Sequence, residues 1–176
     1  NAFSIKDLLI HQNKIFVSFT EEIKADCWNT SLIYGDLNYK EITFKNLFKP
    51  EECIHINNNR DNIFNAHQSG GRIVGLDKDR ILFSMGEFRS RYLAQDKKSV
   101  NGKILSININ NKQYQIVSMG HRNVQGLLYD NENKLILSTE HGPRGGDEIN
   151  ILNLLNLNPN KIANFGWPVS SYGEHY

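Results

Sequence analysis

Three short stretches concentrate the residue types that do chemistry: Asn65-Ala-His-Gln-Ser-Gly-Gly-Arg72, Gly120-His-Arg-Asn-Val-Gln-Gly126 and Glu140-His-Gly-Pro-Arg-Gly-Gly-Asp-Glu148. An imidazole titrates close to operating pH, so His67 is a candidate general base, with a structural turn histidine as the alternative. Arg122 offers a planar fork for a carboxylate or quinone oxygen, and Asn123 can donate beside it. The competing assignment for Arg122 is an ion pair between neighbouring structural units. In the third stretch the glycines let backbone carbonyls turn inward, and Asp147 and Glu148 supply hard oxygens, a combination suited to calcium. Its spacing is not that of an EF-hand loop, and a tight turn closed by an acid pair remains open. A fourth stretch, GEFRSRYLAQD at 86–96, is long for a hairpin connection. It is either a binding loop or a solvated charged face.

The elements that must position these residues repeat. The segments NKIFVSFTE, DRILFSMGE and NKLILSTEH begin at positions 13, 79 and 133. Each runs from a polar turn through a basic residue and an apolar run to a serine. Apolar runs bounded by Asn, Asp and Gly predict buried strands. Each copy is preceded by a companion strand, at 7–10, 72–76 and 125–129, across an Asn/Asp-rich turn of the kind that closes hairpins. Further strands are expected at 31–37, 41–48, 103–109, 113–119 and 148–152. The unit is a four-stranded antiparallel meander present about two and a half times, over 5–64, 65–120 and 121–176. Meanders repeated radially are blades of an all-β propeller, with a sandwich as the competing fold. A propeller closes with about four to eight blades, so the chain is expected to be part of a larger array. His67 and Arg122-Asn123 occupy equivalent inter-unit positions, which places both at one mouth.

Composition narrows the partners. The 20 basic and 19 acidic residues leave a net charge of +1, which gives no field for nucleic acid or a membrane surface. No apolar run reaches membrane-spanning length, and the opening NAFSIKDLLI lacks a signal-peptide pattern. Cys27 and Cys53 are not spaced as a metal or thioredoxin-type site. Two reduced thiols and a disulfide both remain open.

GHRNVQG, EHGPRGGDEIN, NFGWP and SYGEHY, in that order, resemble the soluble pyrroloquinoline quinone (PQQ)-dependent glucose and aldose-sugar (sorbosone) dehydrogenases. HQSGGRIV and AQDKKSVNGKIL fit the same family upstream, so the likeness covers 65–176, while 1–64 fits as a generic blade. The resemblance implies a six-bladed propeller that oxidises an aldose at its anomeric carbon, with hydride transfer to PQQ and with Ca2+ as second cofactor. It implies that His67 takes the sugar hydroxyl proton and that Arg122 and Asn123 contact the quinone oxygens. It places the carbonyls of Gly142 and Pro143 at the cofactor-bound calcium, Glu148 and the Phe165 carbonyl at a further calcium, and Tyr176 near the cofactor. Departures are visible too. HQSGGR has one extra residue between His67 and Arg72, Phe165 replaces a tyrosine, and residues 153–163 lengthen the path to NFGWP. Ala66 stands where the glucose-type members carry aspartate, which leans toward the aldose-sugar branch. The family's cofactor-gripping lysine and arginines belong to later blades. A periplasmic or secreted location is implied, which favours a Cys27–Cys53 bridge. The electron acceptor is not implied. The alternative within the same lineage is a propeller used only for binding.

Overall fold

A computed structural model of the chain describes residues 2–156 and 161–174. The first sheet contains β1 (Ile5–His11), β2 (Lys14–Lys24), β3 (Cys27–Asp36) and β4 (Lys45–Phe48) in sequential order, with the short β5 (Ile54–His55) also paired to β3. The second holds β6 (Gly70–Gly75), β7 (Arg80–Met85), β8 (Lys103–Asn108) and β9 (Tyr114–Met119). The third is β10 (Val124–Asp130), β11 (Leu135–Glu140) and β12 (Glu148–Asn153). The chain then returns to the middle sheet, where β13 (Ala163–Asn164) pairs in parallel with β9. Three successive antiparallel meanders packed face on face are blades of a β-propeller, as the repeat predicts.

All three copies of the repeat are second strands of their sheets, β2, β7 and β11. Their serines, Ser18, Ser84 and Ser138, are all buried. A buried hydroxyl needs a partner. Ser18 Oγ donates to the Gly71 carbonyl at 2.5 Å, and Ser84 Oγ lies 3.4 Å from the Val124 carbonyl. Ser18 and Ser84 each tie their sheet to the first strand of the next.

Apolar contact does the rest. Phe16, Leu32 and Phe48 of the first sheet pack on Ile73, Phe83, Leu105 and Ile107 of the second. The other face of the second sheet puts Leu82 and Ile104 against Ile136 and Leu152 of the third. The array's two outer faces stay open, with Leu8 and Ile10 exposed on β1 and Ile149 and Ile151 exposed on β12.

Where the strands differ from expectation, the cause is local. The strand expected over 41–48 contracts to Lys45–Phe48, and the one expected from 31 starts at Cys27. Cys27 and Cys53 are bonded, and β5 pairs with β3 beside the bridge, Cys27 facing His55. A two-residue strand has no periodicity to read, so neither β5 nor β13 is visible in the sequence. Closing a 26-residue separation stabilises the fold by about 3–4 kcal/mol in the chain-entropy model.

The long connection between β7 and β8 is held by a buried cation. Lys103 Nζ donates to the carbonyls of Leu93, Ala94 and Asn101 at 2.7, 3.0 and 2.7 Å. Burial lowers its pKa to about 8, although Glu52 and Asp96 pull the other way.

Candidate active site

The turn carrying His67 enters β6 through two glycines with left-handed backbones, Gly70 (φ 62°) and Gly71 (φ 104°). A Cβ on Gly71 would meet Lys6 Cβ at 2.5 Å, so only glycine lets the chain cross the first sheet here. The turn is fixed through its backbone. His67 N–H donates to Asn65 Oδ1 at 2.9 Å, while its carbonyl accepts from Asn123 Nδ2 at 3.3 Å. The imidazole itself is exposed.

Asn123 is buried and joins this turn to the next inter-sheet connection. Its Oδ1 accepts from Gly70 N–H at 3.1 Å and from Gln125 Nε2 at 2.8 Å. The sequence places Asn123 at the cofactor; the structure gives its amide the task of holding the His67 turn.

Arg122 is also buried, yet its guanidinium is well supplied with acceptors. Nη1 donates to the His141 carbonyl at 2.8 Å, and the group lies 5.4 Å from the Trp167 ring centre. Gln68, with its amide oriented by its partners, accepts from Arg122 Nη2 at 2.8 Å and donates to Glu87 Oε1 at 2.6 Å. The backbone N–H of Arg122 donates to Glu140 Oε2 at 2.6 Å. Glu140 thereby anchors a second buried group of side chains. Its Oε1 accepts from His121 Nδ1 at 2.9 Å and Asn150 Nδ2 at 2.8 Å, while His121 Nε2 meets Ser118 Oγ at 2.7 Å. Burial pushes the Glu140 carboxyl up, but the His121 hydrogen bond and charge and the N–H groups of Arg122 and Asn123 outweigh it. The net shift is downward.

Glu87 behaves in the opposite way. Burial raises its pKa to about 7, against the Arg89 N–H and the charges of Arg122, Arg89 and Arg91. Among the described residues, no hydrogen-bond partner meets its buried Oε2. Because the folded pKa lies above the unfolded value, this group's contribution to stability is complete below about pH 4.5 and is lost as pH rises through about 7. Glu87→Gln should therefore remove a stability decline of order 1–3 kcal/mol between those pH values. Urea midpoints measured across that range check it; an unchanged slope rejects the protonated assignment.

The segment NFGWP folds back over the same place. Phe165 N–H donates to the Met119 carbonyl and Trp167 N–H to the Gly120 carbonyl, at 2.9 and 3.0 Å. The Phe165 ring lies 4.9 Å from that of His121. Glu87, Arg89, Arg91, Arg122, Pro143 and Trp167 line one small cavity. The structure thus gathers the turn of His67, the segment 120–123, Pro143 and NFGWP. Sequence reasoning assigns no individual role to Glu87, Gln68 or Glu140, although all three lie in the stretches it singles out; the length of the 86–96 stretch is the only signal for Glu87.

The calcium candidates have suitable chemistry and unequal placement. Gly142 sits in a turn so tight that a Cβ would meet the Gly146 carbonyl oxygen at 1.7 Å. Pro143 O accepts from Gly146 N–H at 2.8 Å, and Gly142 N–H donates to Asp147 Oδ1 at 3.1 Å. Glu148 opens β12 opposite Glu140, and burial, reinforced by the Glu140 charge, raises its pKa. Glu148 and Phe165 each border the His121–Glu140 pair. Among the described residues no three His, Cys, Asp or Glu side chains form a metal cluster. Any calcium held here would depend on carbonyl oxygens, which that cation accepts. Tyr176 lies outside the described residues.

Comparison with known proteins gives one consistent result. The family model described as Glucose / Sorbosone dehydrogenase matches residues 6–176. Aldose sugar dehydrogenase YliI of Escherichia coli (strain K12) is 29% identical over 179 residues, covering 93% of this chain and 44% of that protein. A crystal structure of glucose dehydrogenase superposes on the whole chain with TM-score 0.79 and 25% identity, of which the chain covers 52%. The PQQ-bound form of aldose sugar dehydrogenase from Streptomyces coelicolor gives TM-score 0.66 at 25% identity, over 90% of this chain and 45% of that one. The chain spans about half the length of these relatives.

Proposed function

Since the chain belongs to the glucose/sorbosone dehydrogenase family, we propose that it supplies part of the active site of a PQQ- and calcium-dependent enzyme that oxidises an aldose at its anomeric carbon. The observation that carries this reading is the amide of Asn123, which binds both His67 O and Gly70 N–H. It makes the candidate base and the candidate electrostatic group, Arg122, parts of one rigid assembly. When bound, PQQ accepts the hydride, and calcium polarises its carbonyl as a Lewis acid.

The residues of this chain do the remaining work. The exposed His67 imidazole takes the proton of the anomeric hydroxyl. Arg122, its guanidinium oriented by the His141 carbonyl and Gln68, stabilises the negative charge that develops on the acceptor side. The Gly142 and Pro143 carbonyls hold the cofactor's calcium, and Glu148 with the Phe165 carbonyl serves a second one. Asn123 and Tyr176 complete the cofactor's surroundings. The open apolar faces of β1 and β12 support the need for further blades, without which residues 1–176 would be inactive. The Cys27–Cys53 bond supports a periplasmic or secreted location.

Reconstituting the full-length protein with PQQ and Ca2+ and following aldose-dependent dye reduction tests the reading. The expected result is turnover that needs both cofactors. Failure to bind PQQ at about micromolar concentration, the affinity equivalent of roughly 8 kcal/mol, rejects it.

A further inference from the structure

Lys103 opens β8 without solvent exposure, in register with Met85 of β7 and Met119 of β9. An ammonium group taken out of water persists only where its donors are met. Here carbonyl oxygens meet them, and they come from two places. Asn101 lies two residues upstream, whereas Leu93 and Ala94 belong to the 3-10 turn Arg91–Gln95. The side chain thus pins that turn to the start of β8. Burial works against the charge, and Glu52 and Asp96 act through space to retain it.

The pinned turn reaches onward to the site. The Ala94 carbonyl, already bound by Lys103, also accepts from Gly120 N–H at 3.0 Å. The Gly102 carbonyl accepts from His121 N–H at 3.2 Å. Gly120 and His121 are the two residues before Arg122. A Cβ on Gly102 would meet His121 O at 2.6 Å and Ala94 Cα at 2.7 Å, so the three backbones touch. Gln95, the last residue of the turn, donates from Nε2 to the Trp167 carbonyl at 2.6 Å and accepts at Oε1 from Asn164 Nδ2 at 2.8 Å. Trp167 N–H in turn donates to the Gly120 carbonyl, and its ring lies beside the Arg122 guanidinium. One ammonium therefore stands behind both the approach to Arg122 and the NFGWP segment packed on it.

We infer that Lys103 is a positioning residue: by fixing the turn 91–95 it sets Gly120, His121 and Trp167, and through them the aim of Arg122. It acts through backbone and the Gln95 amide, not by touching substrate or cofactor. The inference rests on the dehydrogenase reading for its kinetic consequence alone.

Amide hydrogen exchange of the full-length protein without cofactors, paired with kinetics of the PQQ- and Ca2+-loaded protein, tests it. Lys103→Met keeps an apolar stem and deletes the donors. Exchange at Gly120, His121 and Trp167 should quicken by about 10- to 100-fold, with the central strands of all three sheets unchanged. In the loaded protein kcat should fall by about 10- to 100-fold while KM for the aldose stays within about threefold, because Arg122 acts on charge that develops in the transition state. Gln95→Ala, at a half-buried position, should lower kcat in the unaltered background and add little to Lys103→Met. Unchanged exchange at the three amides overturns the inference, as does local quickening with kcat unchanged. Quickening spread evenly over all sheets also overturns it, since Lys103 would then only stabilise the fold. Local quickening in a protein whose unaltered form shows no PQQ-dependent turnover would sink the dehydrogenase reading and leave the clamp standing. If Lys103→Met does not fold, Gln95→Ala decides: Trp167 exchange and kcat both unchanged would reject the path from the turn to the site.

Discussion

His67→Ala should lower aldose turnover by about 10²- to 10⁴-fold and leave PQQ affinity nearly unchanged. The separation of the two effects follows from how the residue is held. His67 is fixed by its own backbone, through Asn65 Oδ1 on its N–H and Asn123 Nδ2 on its carbonyl. Removing an exposed imidazole leaves both bonds in place, so stability should stay within about 0.5 kcal/mol. Arg122, on which the proposed cofactor contact depends, is oriented by Gln68, His141 and Glu140. None of those bonds involves the His67 side chain. Steady-state kinetics and a PQQ titration of the same preparation provide the test. Equal loss of turnover and cofactor affinity would make His67 a structural residue.

The strands were legible because their signal is local. Each second strand carries its own apolar run and its own serine, and hairpin turns such as Gln12-Asn13, both with positive φ, are marked by residue type. The site was legible only in outline. Inter-unit positions place His67 and Arg122-Asn123 at one mouth, and the structure joins them through Asn123. That Asn123 bonds backbone could not be read, because a side-chain amide suits ligand and backbone equally. Glu87, Lys103 and Glu140 were hidden for another reason. Charged residues in a sequence are expected at the surface, and only the folded chain shows the carbonyls around Lys103 or the donors around Glu140. The segment 86–91 is the clearest instance. Its charges fit a solvated face or a binding loop until Phe88 is seen buried, with Arg89 and Arg91 lining the cavity of Arg122.

Among substitutions away from the proposed chemistry, Glu140→Ala should destabilise the fold most, by about 3–5 kcal/mol. The carboxylate meets three donors at once: His121 Nδ1, the backbone N–H of Arg122, and Asn150 Nδ2. Truncation strands all three in a region where His121 and Arg122 are buried, and water has no ready access to replace them. Glu140→Gln should cost less, about 1–3 kcal/mol. Its oxygen can still accept from the Arg122 N–H, and His121 can change tautomer to accept from the new amide while donating to Ser118 Oγ. Asn150 then faces a donor and loses its bond. A measurable cost for Gln, smaller than that for Ala, is specific to a carboxylate used through its hydrogen bonds, since a residue valued for its volume would tolerate Gln with little loss. Urea midpoints at constant slope measure the two costs. A Glu140→Ala cost below about 1 kcal/mol would mean that the segment 120–123 is held by β9 and β10 alone. In that case Arg122 would owe its position to the sheet and not to this buried network.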